Sequence, residues 1–147
     1  MIYVDTSAFY AYLSRDDQDH DRVVEALRAS LEAESALVAS SYVVAETMGL
    51  VQHRLGVGTL ARFVEDMLPL VQVQWMAASE HDAAWRLLRD VGKRSFTIVD
   101  ASTVVLMHRD GVKRVLALDP EFRRLGFVAL PAPSGSPSPR ARRTRSG

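Results

Sequence analysis

"MIYVDTS", residues 1–7, sets three apolar side chains, Ile2, Tyr3 and Val4, directly before a carboxylate, Asp5, and two hydroxyls, Thr6 and Ser7. An unbroken apolar triplet reads as a short strand buried on both faces, the kind found inside a parallel sheet. An acid at the end of such a strand is either a helix cap or part of a reactive centre. What decides between them is which other acids the fold brings near it.

The 147 residues suffice for one domain with a full core, and a 48% hydrophobic content marks a globular chain. Cysteine is absent, which excludes disulfides, thiolate zinc sites and cysteine nucleophiles and fits a reducing compartment. No apolar run approaches the ~18 residues of a membrane span, and the N-terminus lacks a basic leader. A cytoplasmic protein without a membrane partner is expected. The net charge of zero is unevenly spread. Four of the 18 basic side chains, Arg140, Arg142, Arg143 and Arg145, lie in "PAPSGSPSPRARRTRSG" (131–147) beside none of the 18 acids. Residues 1–130 thus carry 14 basic against 18 acidic groups, net −4. The Pro/Ser/Arg-rich stretch is expected to be a disordered basic tail.

Strand and helix patterns alternate along residues 1–130. Phe9, Tyr12 and Leu13 suggest a short helix, and Val23, Val24, Leu27 and Leu31 an amphipathic one over about 19–33. "ALVAS" (36–40) predicts a buried strand, with Ser40 or Ser41 capping a helix from near Tyr42. Leu60, Phe63, Val64, Met67 and Leu68 form a helical stripe that Pro69 stops. Val71, Val73 and Trp75 alternate with Gln72 and Gln74 as in a half-exposed strand. Helices follow over about 78–91, with Gly92 as C-cap, and about 98–109. "RVLALD" (114–119) predicts a strand, "PEFRRLG" a short helix and "FVAL" (127–130) a last strand. This order predicts an α/β fold, with helices on both faces of a mainly parallel sheet of four to five strands.

Ligands of open parallel sheets bind outside the carboxyl ends of the strands. Asp5 and Asp119 follow predicted strands directly, Glu46 sits in the opening turns of the helix after 36–40, and Asp100 in the first turn of the 98–109 helix. Each has a local reading too. Asp5 or Thr6 can cap the first helix, Asp119-Pro120 is an ordinary helix start, and Thr97…Asp100 resembles a capping box with a short acid. Glu46, among Tyr42, Val43, Gly49 and Leu50, has no such local role and calls for a cationic partner or a metal. Four carboxylates about 6 Å apart at an effective dielectric of ~20 repel by roughly 3 kcal/mol per pair, on the order of 17 kcal/mol in all. That rivals the whole stability of a domain. Such a cluster takes up protons or binds cations, and all-oxygen ligands favour Mg²⁺ or Mn²⁺. Metal-assisted hydrolysis of phosphate esters is chemistry that suits it.

"YVDTSAF", the "AE" at 45–46, "FTIVDAS" around Asp100 and "LALDPEF" around Asp119 together resemble PIN-domain ribonucleases, most nearly the VapC-type toxins of toxin–antitoxin pairs. The resemblance covers about residues 1–130 and implies a PIN-like three-layer α/β/α fold. It also implies an Mg²⁺-dependent endoribonuclease with Asp5, Glu46, Asp100 and Asp119 as its acids. Asp5 and Asp100 would be the main metal ligands, and Thr6, Ser7 and Thr97 match the accompanying hydroxyl positions. Lys93 and Arg94, just before Thr97, are candidate RNA contacts. A homodimer and a VapB-type antitoxin are the implied partners. The alternatives are a non-cleaving RNA- or protein-binding module on the same fold, and a metal-dependent deoxyribonuclease.

Other motifs fail on context. "GVGTLA" (56–61) fits a dinucleotide fingerprint but follows a helix pattern, so a helix–helix connection is expected. "DQDHD" (17–21) has Arg22 and Arg28 where a calcium loop needs Gly and Glu, and reads as a charged helix entrance. His20, His53, His81 and His108 show no ligand spacing.

Overall fold

A computed structural model describes residues 1–135. Five strands, β1 (Ile2–Val4), β2 (Leu37–Ser40), β3 (Val71–Gln74), β4 (Arg114–Leu116) and β5 (Val128–Leu130), form one sheet in the order β3-β2-β1-β4-β5. Every pairing is parallel. All carboxyl ends therefore share one edge. The chain steps from β1 outward to β3, then crosses to β4 on the other side of β1. That reversal opens a crevice between the ends of β1 and β4, where ligands of open α/β sheets bind.

Period-2 alternation splits the core between the faces. Ile2, Val4, Leu37, Ala39, Val71 and Leu116 pack with Phe9, Val23, Leu27, Val43, Phe63 and Met67 of the helices α1 (Thr6–Leu13), α2 (His20–Glu32), α3 (Ser41–Leu55) and the segment after α4 (Val57–Arg62). Tyr3, Val38, Val115, Ala117 and Ala129 face the other way, onto Ala84 of α5 (Ala78–Val91), Leu106 and Met107 of α6 (Ile98–Asp110) and Phe122 of α7 (Glu121–Arg124). The expected three-layer α/β/α architecture is present. Among the described residues no helix is long and apolar enough to cross a membrane.

The predicted elements are found, with three revisions. The 60–68 stripe is not one α-helix: α4 passes into a π-turn over Phe63–Met67 and a 3₁₀ turn over Leu68–Leu70. Pro69 has no N–H to give the carbonyl four residues back, and Leu68 N–H reaches Phe63 O instead, five residues back. Phe63 and Met67 stay buried, while Val64 is exposed. β4 ends at Leu116, three residues short of Asp119, because Leu118 N–H leaves the ladder and donates to Ser7 Oγ at 3.0 Å. β3 ends at Gln74, leaving Trp75 beyond it. Gly56, at φ 89°, joins α3 to α4, so "GVGTLA" is the expected helix–helix connection. Residues 136–147, with the four tail arginines, lie outside the described residues. The preceding residues are fastened to the body: Arg123 Nη2 donates to Pro131 O at 2.7 Å and Arg22 Nη2 to Ala132 O.

Candidate metal and nuclease site

Each of the four acids is aimed by a local donor, and three of those donors are the hydroxyls singled out beside them. Asp5 is the N-cap of α1; its Oδ2 accepts from Ser7 N–H at 3.2 Å and Ser7 Oγ at 2.7 Å. Because Ser7 Oγ also accepts from Leu118 N–H, one side chain joins Asp5 to the loop that carries Asp119. Thr6 Oγ1, from the first residue of α1, donates to Glu46 Oε2 on α3 at 3.3 Å. Thr97 caps α6 and completes a capping box: Asp100 N–H donates to Thr97 Oγ1 at 3.3 Å, while Asp100 Oδ2 accepts from Thr97 N–H at 2.9 Å and Thr97 Oγ1 at 3.1 Å. Aspartate is long enough to close the box. Asp119 Oδ1 accepts from Glu121 N–H at 2.9 Å, and Pro120 rather than Asp119 is the N-cap residue of α7.

Capping occupies only one carboxylate oxygen of Asp5 and leaves the other stranded. Asp5 Oδ1 is buried and has no hydrogen-bond partner. Burial, with a smaller contribution from Glu46, pushes the Asp5 carboxyl up to about 6. Asp100 is likewise raised to about 6, first by burial and then by the charge of Asp5, with Asp119 adding to it. Glu46 is exposed along α3, but its carboxylate end is shielded where it turns to Thr6, and this desolvation, then Asp100, raises it as well. Asp100 is thus the acid that the other three all touch electrostatically. None of the four forms an ion pair among the described residues.

The site is looser than a ready-made cage. Among the described residues no three His, Asp or Glu side chains converge closely enough, as they stand, to hold a metal ion. Oxygen-only donors, the stranded Asp5 Oδ1 and three acids raised first by burial and then by one another's charge nonetheless suit a hard divalent cation arriving at this edge.

Two features were not legible beforehand. Ser40 Oγ and Ser102 Oγ share a buried 2.8 Å hydrogen bond that fixes the start of α3, and so Glu46, against the start of α6, and so Asp100. Ser40 also caps α3 through Val43 N–H, and Ser102 donates to Val99 O at 2.6 Å. Lys93, a candidate RNA contact, donates to buried Glu121 at 2.8 Å, which Arg124 also pairs. Arg94 is exposed.

A family model described as PIN domain matches residues 2–128. The chain belongs to the PIN-domain family. This PIN domain is 29% identical over 131 residues to the 23S rRNA-specific endonuclease VapC20 of Mycobacterium tuberculosis, covering 88% of this chain and 98% of that one. It is 34% identical over 128 residues to Ribonuclease VapC26 of the same organism, covering 86% and 90%. The crystal structure of VapC20, described as a Sarcin-Ricin loop cleaving toxin, superposes with a TM-score of 0.76 at 26% identity, over 87% of this chain and 97% of that one.

Proposed function

We propose that this PIN domain is an Mg²⁺-dependent endoribonuclease acting as the toxin of a VapBC-type pair. The observation that carries the reading is the coupled acid set at the carboxyl edge, with the unpartnered Asp5 Oδ1 among its oxygens. Asp5 and Asp100 would hold the ion, with Mn²⁺ as a substitute, and Glu46 and Asp119 would complete its surroundings. When bound, the ion lowers the pKa of a coordinated water and offsets charge on the scissile phosphate.

The chain's own residues supply the rest. Ser7 and Thr97 fix the rotamers of Asp5 and Asp100, and Thr6 holds Glu46, so each acid is oriented before the ion draws them together. Arg94 would meet the phosphate backbone. Ribosomal RNA is the proposed substrate class, from the name of VapC20, with a VapB-type antitoxin and a second copy of the chain as partners. Purified protein is expected to cut RNA with Mg²⁺, to lose cleavage in EDTA, and to leave matched DNA intact. Induction is expected to arrest growth, with relief by the cognate antitoxin. Equal cleavage of RNA and DNA would favour the deoxyribonuclease reading; binding without cleavage would favour the non-cleaving module.

A further inference from the structure

Trp75 is the most exposed large apolar side chain among the described residues, at 80%. It follows directly on β3, at the same sheet edge as the acids. Carrying the register of β1 on β2 one step past Val4 sets Asp5 level with Ser40, which pairs with Gln74. Asp5 and Gln74 are then two strand spacings apart, about 10 Å. Trp75 lies one residue further out. The next residue is tied to the site, since Met76 N–H donates to Ser41 Oγ at 3.1 Å, at the first residue of α3.

Tyr42 follows Ser41 and lies one turn before Glu46, so the two share a face of α3. Its hydroxyl and His81 Nδ1 share a 2.6 Å hydrogen bond, and the rings meet edge to face at 5.8 Å. The β3 side of the acidic edge therefore carries a locked aromatic pair and an open indole. The phosphate grip beside them is weak, because the body is net −4 and Lys93 is spent on Glu121. Electrostatics alone would not hold RNA against four carboxylates. A planar neutral surface can, because every unpaired base offers a π-face.

We propose that Trp75, flanked by Tyr42 and His81, is a stacking platform for an unpaired base next to the bond that is cut. This rests on the ribonuclease reading above and adds a requirement for single-stranded or looped RNA. The test uses a full-length protein carrying Asp5→Asn, which silences cleavage, and Trp85→Phe, which leaves Trp75 as the sole tryptophan. Titration with a single-stranded RNA of about 12 nucleotides is expected to quench its fluorescence saturably, and the matching duplex much less. In cleavage-competent protein, Trp75→Ala is expected to raise KM roughly 5- to 150-fold, the span of one stacked base, with kcat largely kept and Trp75→Phe retaining most affinity. An unchanged KM in Trp75→Ala, equal quenching by duplex, or a shift in oligomeric state by sedimentation in place of RNA affinity would overturn it. A wild-type protein that cuts no RNA overturns the underlying reading; one that cuts RNA as well without Trp75 overturns the platform alone.

Discussion

Two sets of carboxylates in this fold are treated in opposite ways. Asp110 and Glu121 are each held below their ordinary range by a cation, Arg109 for the first and Lys93 for the second. Glu80 is lowered first by Ala77 N–H and then by Arg109. Asp110 also accepts from Tyr3 Oη at 2.5 Å, and Arg109 joins Asp110 to Glu80, so these two acids tie β1, α5 and α6 together at the surface of the fold. The carboxyl-edge set, Asp5, Glu46 and Asp100, is raised by desolvation and then by its acidic neighbours, with only hydroxyls and backbone N–H groups to offset this. Identical functional groups in one small domain thus serve structure where a cation is supplied and remain charge-frustrated where it is withheld. A frustrated set pinned by Ser7, Thr6 and Thr97 is one that a metal ion can complete.

The sharpest way to break this contrast is activity. Asp5→Asn or Asp100→Asn is expected to reduce Mg²⁺-dependent RNA cleavage by roughly 10²–10⁴-fold, the several kcal/mol that a metal centre contributes. Glu121→Gln should leave kcat within an order of magnitude, as followed on one labelled RNA.

Stability should move in opposite directions for the two sets. A carboxyl raised from 3.8 to about 6 on folding binds more protons in the native state, so stability falls as pH climbs from about 4 to 6 and stays lower above. Without divalent ions, Asp5→Asn or Asp100→Asn should therefore stabilise the protein by up to about 3 kcal/mol at pH 7.5. The gain should vanish below pH 4. For the lowered set the sign reverses, and Asp110→Asn should cost about 1 kcal/mol at pH 7.5. Denaturant titrations at the two pH values read both.

Protons and Mg²⁺ compete for the same oxygens. Below pH 6, each further unit is expected to raise the Mg²⁺ needed for half-maximal cleavage by roughly tenfold per proton displaced. A requirement that stays flat between pH 5 and 7 would place the ion elsewhere. The smallest effect is that of the cap: Thr97→Ala should cost about 1 kcal/mol of stability and lower Mg²⁺ affinity, whereas Tyr3→Phe should cost a similar amount with no change in Mg²⁺ affinity.

The contrast was only half legible in the sequence. Apolar runs such as Ile2–Val4 and Leu37–Ala39, and caps such as Ser40, Thr97 and Gly92, act over a few residues and can be read in order. The acids were legible because a parallel sheet delivers the ends of its strands to one edge. What stayed hidden depends on contacts between distant residues. Ser40 and Ser102 are 62 residues apart, and Lys93 and Glu121 are 28 apart. Nothing in the local pattern of Lys93 marks its charge as already taken. The π-turn at Phe63–Met67 was missed because a helical stripe does not reveal where Pro69 redirects the backbone bonds.

Calorimetric titration of Mg²⁺ into the metal-free protein tests the central claim without relying on turnover. The account predicts binding at pH 7.5, loss of it in Asp100→Asn, retention in Glu121→Gln, and proton release that grows as the pH is lowered toward 6. Binding that survives Asp100→Asn and Asp5→Asn unchanged, or no binding in the wild type, would contradict it.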